Sequence, residues 1–360
     1  MLFPMNASIR FLAYGLCAGS VLCSCSKTEA PGEAEDPDSP ASQVQRKTIE
    51  FWSADDFQCG VSYPWLNYAA DFGAAGAWGH LGISKPEEKA IVAEDFAKLK
   101  GTNIQVVQWL LFGDGRAAPE FDQSGAVTGF DEHFFADVDT AIQLAKENDL
   151  YLIFALFDHL IADKAQEVNG VQMGGRHSVI ANPYLRKSFI KNALTPLFER
   201  YGDEERIVAW EIIRLPELQI ETPGTNEDRP LKLDEMKSFI RDVAAFAHQH
   251  ADQPVTVSST SMTSAKEWKN CDLDYFQFNS FELAQKEAGS NLEFSKPLVL
   301  SGVLTAGIDP LPVDVLKQIR GQEYAGGLLW GLRPIDKNSD FSKAAQPVAT
   351  WLRTSETAGK

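Results

Sequence analysis

The sequence predicts an α/β fold, a closed (β/α)8 TIM barrel, and three observations carry that prediction. From about Lys47 onward, short apolar runs alternate with amphipathic helical stretches, and eight such runs occur. The runs are continuously apolar, as strands of a parallel sheet buried on both faces must be. Most of the segments between them are long enough for the crossover that parallel strands require. An open doubly wound sheet is the alternative, but no glycine-rich phosphate loop follows any strand.

The strands are expected at Gln58–Tyr63, Asn103–Phe112, Tyr151–Phe157, Ile207–Ile213, Pro254–Ser258, Tyr275–Phe278, Leu298–Ser301 and Gly327–Gly331. Helices are expected between them. Pro86–Lys100 has Pro in its first turn and Gly101 as its C-cap. Phe134–Glu147, Pro183–Tyr201, Leu233–Ala251, Val313–Tyr324 and Phe341–Leu352 follow. The stretches after the fifth and sixth strands are short or irregular.

The chain of 360 residues divides into three parts. Residues 1–25 read as a signal peptide. Phe11–Leu22 is too short to span a bilayer, and Leu22-Cys23-Ser24-Cys25 resembles a bacterial lipobox with Cys25 as the lipidated residue. An ordinary cleaved signal peptide is the alternative. Residues 26–46, rich in Pro, Ala, Ser, Glu and Asp and without aromatics, read as a disordered acidic tether. Its stretch Glu33–Asp38 resembles acid-rich signals that send lipoproteins to the cell surface. Residues 47–360 form the barrel. The expected location is the bacterial cell envelope, reached by export and held by a lipid anchor. In the barrel only Cys59 and Cys271 remain, read as buried small hydrophobes, with one disulfide as the alternative.

A net charge of −17 argues against nucleic acid as a partner. Neutral sugars remain compatible with it, because aromatic faces and hydrogen bonds hold them. No His, Cys and carboxylate cluster has metal-ligand spacing and no Gly-x-Ser-x-Gly elbow is present. Neither metal nor cofactor is therefore expected.

Barrel sites are built at the C-terminal strand ends. There Gly60–Tyr68 with Asp71-Phe72-Gly73, Gln108–Arg116, Val208–Ile213, Lys296–Ser301 and Gly326–Trp330 resemble the cellulase-like, retaining clan-A glycoside hydrolases, from Lys47 to Leu352. The resemblance implies two carboxyl groups about 5–5.5 Å apart, an acid ending strand four and a nucleophile ending strand seven. The sequence departs at both places. Where the family has Trp-Glu-x-x-Asn-Glu-Pro, this chain has Trp210–Pro216, with Arg214 for the Asn and Leu215 for the acid. On strand seven Gly302 replaces the nucleophile. Gln108 stands where Arg is expected, and Asn279 and Phe281 where His and Tyr are expected; Trp330 is kept.

Displaced acids are the alternative source of chemistry: Glu282 after strand six, Glu217 two residues past the acid position, and Asp158 beside His159 after strand three. A solvated Glu217, a Glu282 paired with Arg214 or Lys, and a structural Asp158–His159 pair are the plainer readings. Asp114 and Arg116 read as a mutually neutralised turn, and Glu211 as a polar residue of the core or lower barrel. An aromatic rim is expected from Tyr63, Trp65, Tyr68, Trp109, Phe112, Phe157, Phe281 and Trp330, of which Phe112 and Phe157 fill the core. The expected sugar contacts are Trp65, Trp109, Asp158, Arg214, Asn279, Phe281 and Trp330, with Arg214 favouring an acidic or sulfated sugar. Three functions compete: a carbohydrate-binding barrel without hydrolysis, a glycoside hydrolase with displaced acids, and a partner-binding lipoprotein with a filled cleft.

Overall fold

The computed structural model describes residues 51–53, 55–221, 229–279, 294–307 and 311–358. Cys25, the tether, Phe281 and Glu282 lie outside the described residues. Eight parallel strands close into a barrel: β1 (Gln58–Ser62), β2 (Val106–Gly113), β3 (Tyr151–Asp158), β4 (Ile207–Arg214), β5 (Val255–Ser259), β6 (Phe276–Phe278), β7 (Leu298–Val303) and β8 (Gly326–Leu329). Each strand pairs with its successor. β8 closes on β1 in the register Gln58↔Gly326 to Val61↔Leu329. Every expected strand is present. β2 starts later than expected because Asn103, at φ +61°, turns the chain before it extends.

Helices Pro86–Ala97, Phe134–Asn148, Leu233–His250, Pro312–Gly321 and Phe341–Ala358 pack around the barrel. The segment expected as one helix over Pro183–Tyr201 is broken by a π turn, Ile190–Leu194. Pro196 explains it: without an N–H it cannot donate to the carbonyl one turn back, so the helix widens before it. Asn192 Nδ2 meanwhile donates to Val127 O at 2.7 Å. Two small hairpins, Gln166–Val168 with Val171–Met173 and Glu120–Phe121 with Val127–Gly129, build up the loops after β3 and β2.

The barrel interior is layered. At the N-terminal end Trp52, fully buried, stacks on Tyr275 with ring centroids 5.1 Å apart and packs with Val106, Ile153, Ala209, Val299 and Leu328. That apolar floor closes the barrel from below. Above it sits a buried polar layer containing Ser62, Gln108, Glu211, Ser258, Gln277 and Ser301. Gln108 Nε2 donates to Glu211 Oε2 at 2.5 Å. This bond joins β2 to β4 across the intervening β3, so both side chains point into the lumen.

Outside the floor, His248 in the last turn of its helix lies 2.9 Å from Asp274 and 3.2 Å from Asp272. Cys59 and Cys271 are free and buried, and burial pushes the Cys59 thiol up to about 12. No helix among the described residues is long and apolar enough to cross a membrane.

Candidate functional site

The polar layer is the base of the site. Glu211 is wholly buried in it, in accord with its reading as a core residue, and each of its oxygens is occupied. Gln108 Nε2 donates to one and Ser258 Oγ to the other, while Ser62 Oγ donates to Gln108 Oε1 at 2.9 Å. Burial pushes the Glu211 carboxyl up despite Arg214 and these donors.

Parity along β2 corrects one expectation. Gln108 faces the lumen, so the next residue, Trp109, faces the helices. Trp109 is fully buried against Tyr63, Phe72 and Phe96, and its indole N–H donates to Asp71 Oδ2 at 2.8 Å. It is a core residue, not a sugar platform. Tyr63 is buried likewise, its hydroxyl donating to Asp95 at 3.0 Å. Phe112 and Phe157 fill the core. Trp65 and Trp330 are partly exposed at the mouth.

Asp71 serves the mouth from behind. Its carboxylate accepts Leu66 N–H at 2.7 Å and Asn67 N–H at 2.5 Å in addition to Trp109. It thereby pins the loop that carries Trp65 and Tyr68, whose rings meet edge to face at 4.7 Å. The Tyr68 hydroxyl is buried, accompanied by Asp158 and Asp114 on one side of its charge balance and Arg116 and Arg214 on the other. Burial raises it well above the usual phenol range, and the two carboxylates add to that.

Four of the mouth charges fall into two pairs. Arg116 grips Asp114 bidentately, Nε at 2.9 Å and Nη2 at 2.6 Å, as the turn reading expected. His159 Nδ1 lies 2.7 Å from Asp158 Oδ1. Burial pushes the Asp158 carboxyl up, but the His159 and Arg214 charges outweigh it and hold it below the usual range. The same pairing lifts His159 against the effect of its burial.

Glu217, read either as a displaced acid or as a solvated side chain, is held at the mouth rather than in solvent. Thr260 donates to Glu217 Oε1 through both its backbone N–H and, at 2.7 Å, its hydroxyl. Glu217 Oε2 is buried without a partner, and burial pushes this carboxyl up. His159 lies near enough for its charge to act on Glu217 as well as Asp158.

Both positions that the resemblance assigns to chemistry have a left-handed backbone. Leu215, after the last residue of β4, has φ +52° and ψ +46°, and its N–H donates to Ser258 O at 2.8 Å. Gly302 in β7 has φ +88°, and a Cβ built there would lie 3.3 Å from Asn279 Cγ. Asn279 accepts from Ser301 Oγ and occupies the space over that strand.

Arg214 pairs in register with Asp158, and its guanidinium lies 5.6 Å from the centroid of the Trp330 ring. The nearest recorded carboxylate oxygen, Glu211 Oε1, is 3.9 Å from Arg214 Nε. The structure thus brings Trp65, Asp158, Arg214, Asn279, Glu217 and Trp330 to the C-terminal mouth and removes Trp109 from it. Tyr68 as a polar group and Thr260 as a carboxylate clamp were not expected from the sequence. The polar Gln108 inside an apolar run was the signal that sets the parity of β2. Among the described residues no group of three His, Cys, Asp or Glu is placed to hold a metal.

The chain matches no family model. A mannan endo-1,4-β-mannosidase of Mytilus edulis is 27% identical over 176 residues, 48% of this chain and 43% of that protein. One of Cryptopygus antarcticus is 24% identical over 174 residues, 48% and 41% of the two chains. The matched stretch thus spans less than half the length of these curated relatives. Among solved structures, the endo-1,4-β-mannanase of Eisenia fetida superposes with a TM-score of 0.67 at 19% identity, covering 82% of this chain and 90% of that one. The β-mannanase of Mytilus edulis gives 0.66 at 18%, covering 82% and 91%. The fold is that of the glycoside hydrolase barrels, and the sequence relatives are mannanases.

Proposed function

We propose that this barrel binds a polysaccharide of the β-1,4-mannan kind at its C-terminal mouth without hydrolysing it. One observation carries the reading. Besides His159 Nδ1, which faces Asp158 at 2.7 Å, three buried polar atoms at the mouth, Tyr68 Oη, Arg214 Nε and Glu217 Oε2, have no hydrogen-bond partner among the described residues. Each costs about 1–3 kcal/mol if left so. A polyhydroxylated ligand supplies donors and acceptors to all three, and the partly exposed rings of Trp65 and Trp330 supply faces for it to stack on. Partial exposure of Trp65, Leu215 and Trp330 favours an accessible mouth over a filled one. Leu215 and Gly302, where the resemblance places acid and nucleophile, offer no proton and no attacking oxygen. The lipobox around Cys25 and the acidic tether support display of the barrel at the cell envelope.

Calorimetric titration with β-1,4-mannan oligomers, beside a reducing-end assay on the same samples, tests this. Saturable binding without release of new reducing ends is expected. Absence of binding to any neutral or charged glycan overturns it.

The opposite charge preferences of two mouth carboxyls favour a second reading, hydrolysis by displaced acids. Burial pushes the Glu217 carboxyl up while Asp158, paired with His159, is held below the usual range. Two carboxyls driven apart in this way suit an acid and a base. Glu282, the third displaced candidate, lies outside the described residues. Turnover that vanishes in Glu217→Gln establishes this reading and removes the first.

A further inference from the structure

We infer that the mouth contains a subsite for an anionic group on the sugar, a uronate carboxylate or a sulfate ester, and that Arg214 is its cation. The inference rests on the glycan-binding reading above and names the class of glycan.

Arg214 differs from Arg116 and His159, the paired cations at the mouth. Arg116 is spent on Asp114 through two short bonds. His159 is spent on Asp158. Arg214 is 4% exposed, yet its Nε makes no hydrogen bond among the described residues. The 3.9 Å to Glu211 Oε1 is too long for one, and Ser258 and Gln108 already occupy the two Glu211 oxygens. Asp158, its neighbour in the ladder, is itself taken up by His159 and by Leu160 N–H.

A buried guanidinium with an open donor is a strong demand. Asp158 and Glu211 balance its charge only in part, since Asp158 is shared with His159 and burial pushes the Glu211 carboxyl toward its neutral form. A sugar hydroxyl satisfies the donor but not the charge. A carboxylate or sulfate satisfies both, because its two oxygens match the planar fork. The Trp330 ring, its centroid 5.6 Å from the guanidinium carbon, adds a cation–π contact and a face for the same glycan. Tyr68 and Glu217, the other two open groups, then serve neutral hydroxyls of the glycan.

The test uses the full chain and three tetramers of one backbone: β-1,4-mannose, β-1,4-mannuronate and 6-O-sulfated β-1,4-mannose, each titrated calorimetrically. At least one charged tetramer is expected to bind roughly tenfold to a hundredfold tighter than the neutral one. Which of the two does so identifies the carboxylate or the sulfate as the source. In Arg214→Gln the ratio of charged to neutral affinity is expected to collapse toward one, and Arg214→Lys to recover part of it. Equal affinities for all three tetramers, or a ratio that survives Arg214→Gln, overturn the inference while glycan binding stands. Binding of no tetramer overturns both. Should Arg214→Gln fail to fold, the wild-type ratio is measured from low salt to about 1 M salt. It is expected to shrink, and a ratio indifferent to salt overturns the inference.

Discussion

Gly302 shows how much one residue fixes. Its φ of +88° is a conformation that a side chain adopts only at a cost of about 1–2 kcal/mol, and Asn279 already stands where a Cβ would point. Gly302→Glu is therefore expected to lower stability by about 2 kcal/mol in thermal unfolding. It is also expected to yield no mannan hydrolysis in a reducing-end assay, because the restored carboxyl is aimed from the wrong backbone. Trp109 makes the opposite case. Trp109→Phe deletes the indole donor to Asp71 and is expected to cost about 1–3 kcal/mol in chemical denaturation. A loss of glycan affinity with no loss of stability would return Trp109 to the rim.

At the scale of elements, the loop after β1 depends on one carboxylate. Asp71 accepts two successive backbone N–H groups and an indole, and so orients Trp65 and Tyr68 toward the mouth. Asp71→Ala is expected to raise hydrogen exchange at Leu66 and Asn67 and to weaken glycan binding about tenfold, at about 2 kcal/mol of stability. Unchanged exchange would show that packing alone holds the loop. The strands were legible in the sequence because each is a run of apolar residues between turn signals, and burial on both faces leaves few other ways to read such a run. The same uniformity hid which face each residue takes. In Val106–Gly113 only Gln108 breaks the apolar run, and the bond to Glu211 that gives its direction spans 103 positions in sequence. The choice between a solvated and a held Glu217 was hidden for a related reason: its place depends on Thr260, 43 residues on in a loop of β5. The π turn was foreshadowed only by Pro196.

For the whole molecule, the floor and the mouth answer to different conditions. Near the floor, His248 is held between Asp272 and Asp274; burial opposes its charge, but the two carboxylates prevail and lift it to about 9. Its folded value thus lies above the unfolded value of about 6.5. The stabilisation is complete below pH 6.5 and is lost as pH rises from there through about 9. His248→Gln is expected to flatten that part of the stability profile by about 1 kcal/mol, read from denaturant unfolding at several pH values. An unchanged profile would assign the pH dependence elsewhere. The mouth lies at the other end, and that separation has a mechanical side. Trp52 enters at the N-terminal floor, immediately before β1, while Arg214 and Trp330 stand at the C-terminal ends of β4 and β8. If a polymer is held at the mouth as proposed, a pull between it and the chain preceding Trp52 runs along the strands. The hydrogen bonds between strands lie across that line, so they are loaded in shear and share the tension, where a sideways pull would peel them one at a time. With the tether proposed at its floor, such a barrel is in this respect a strong hook.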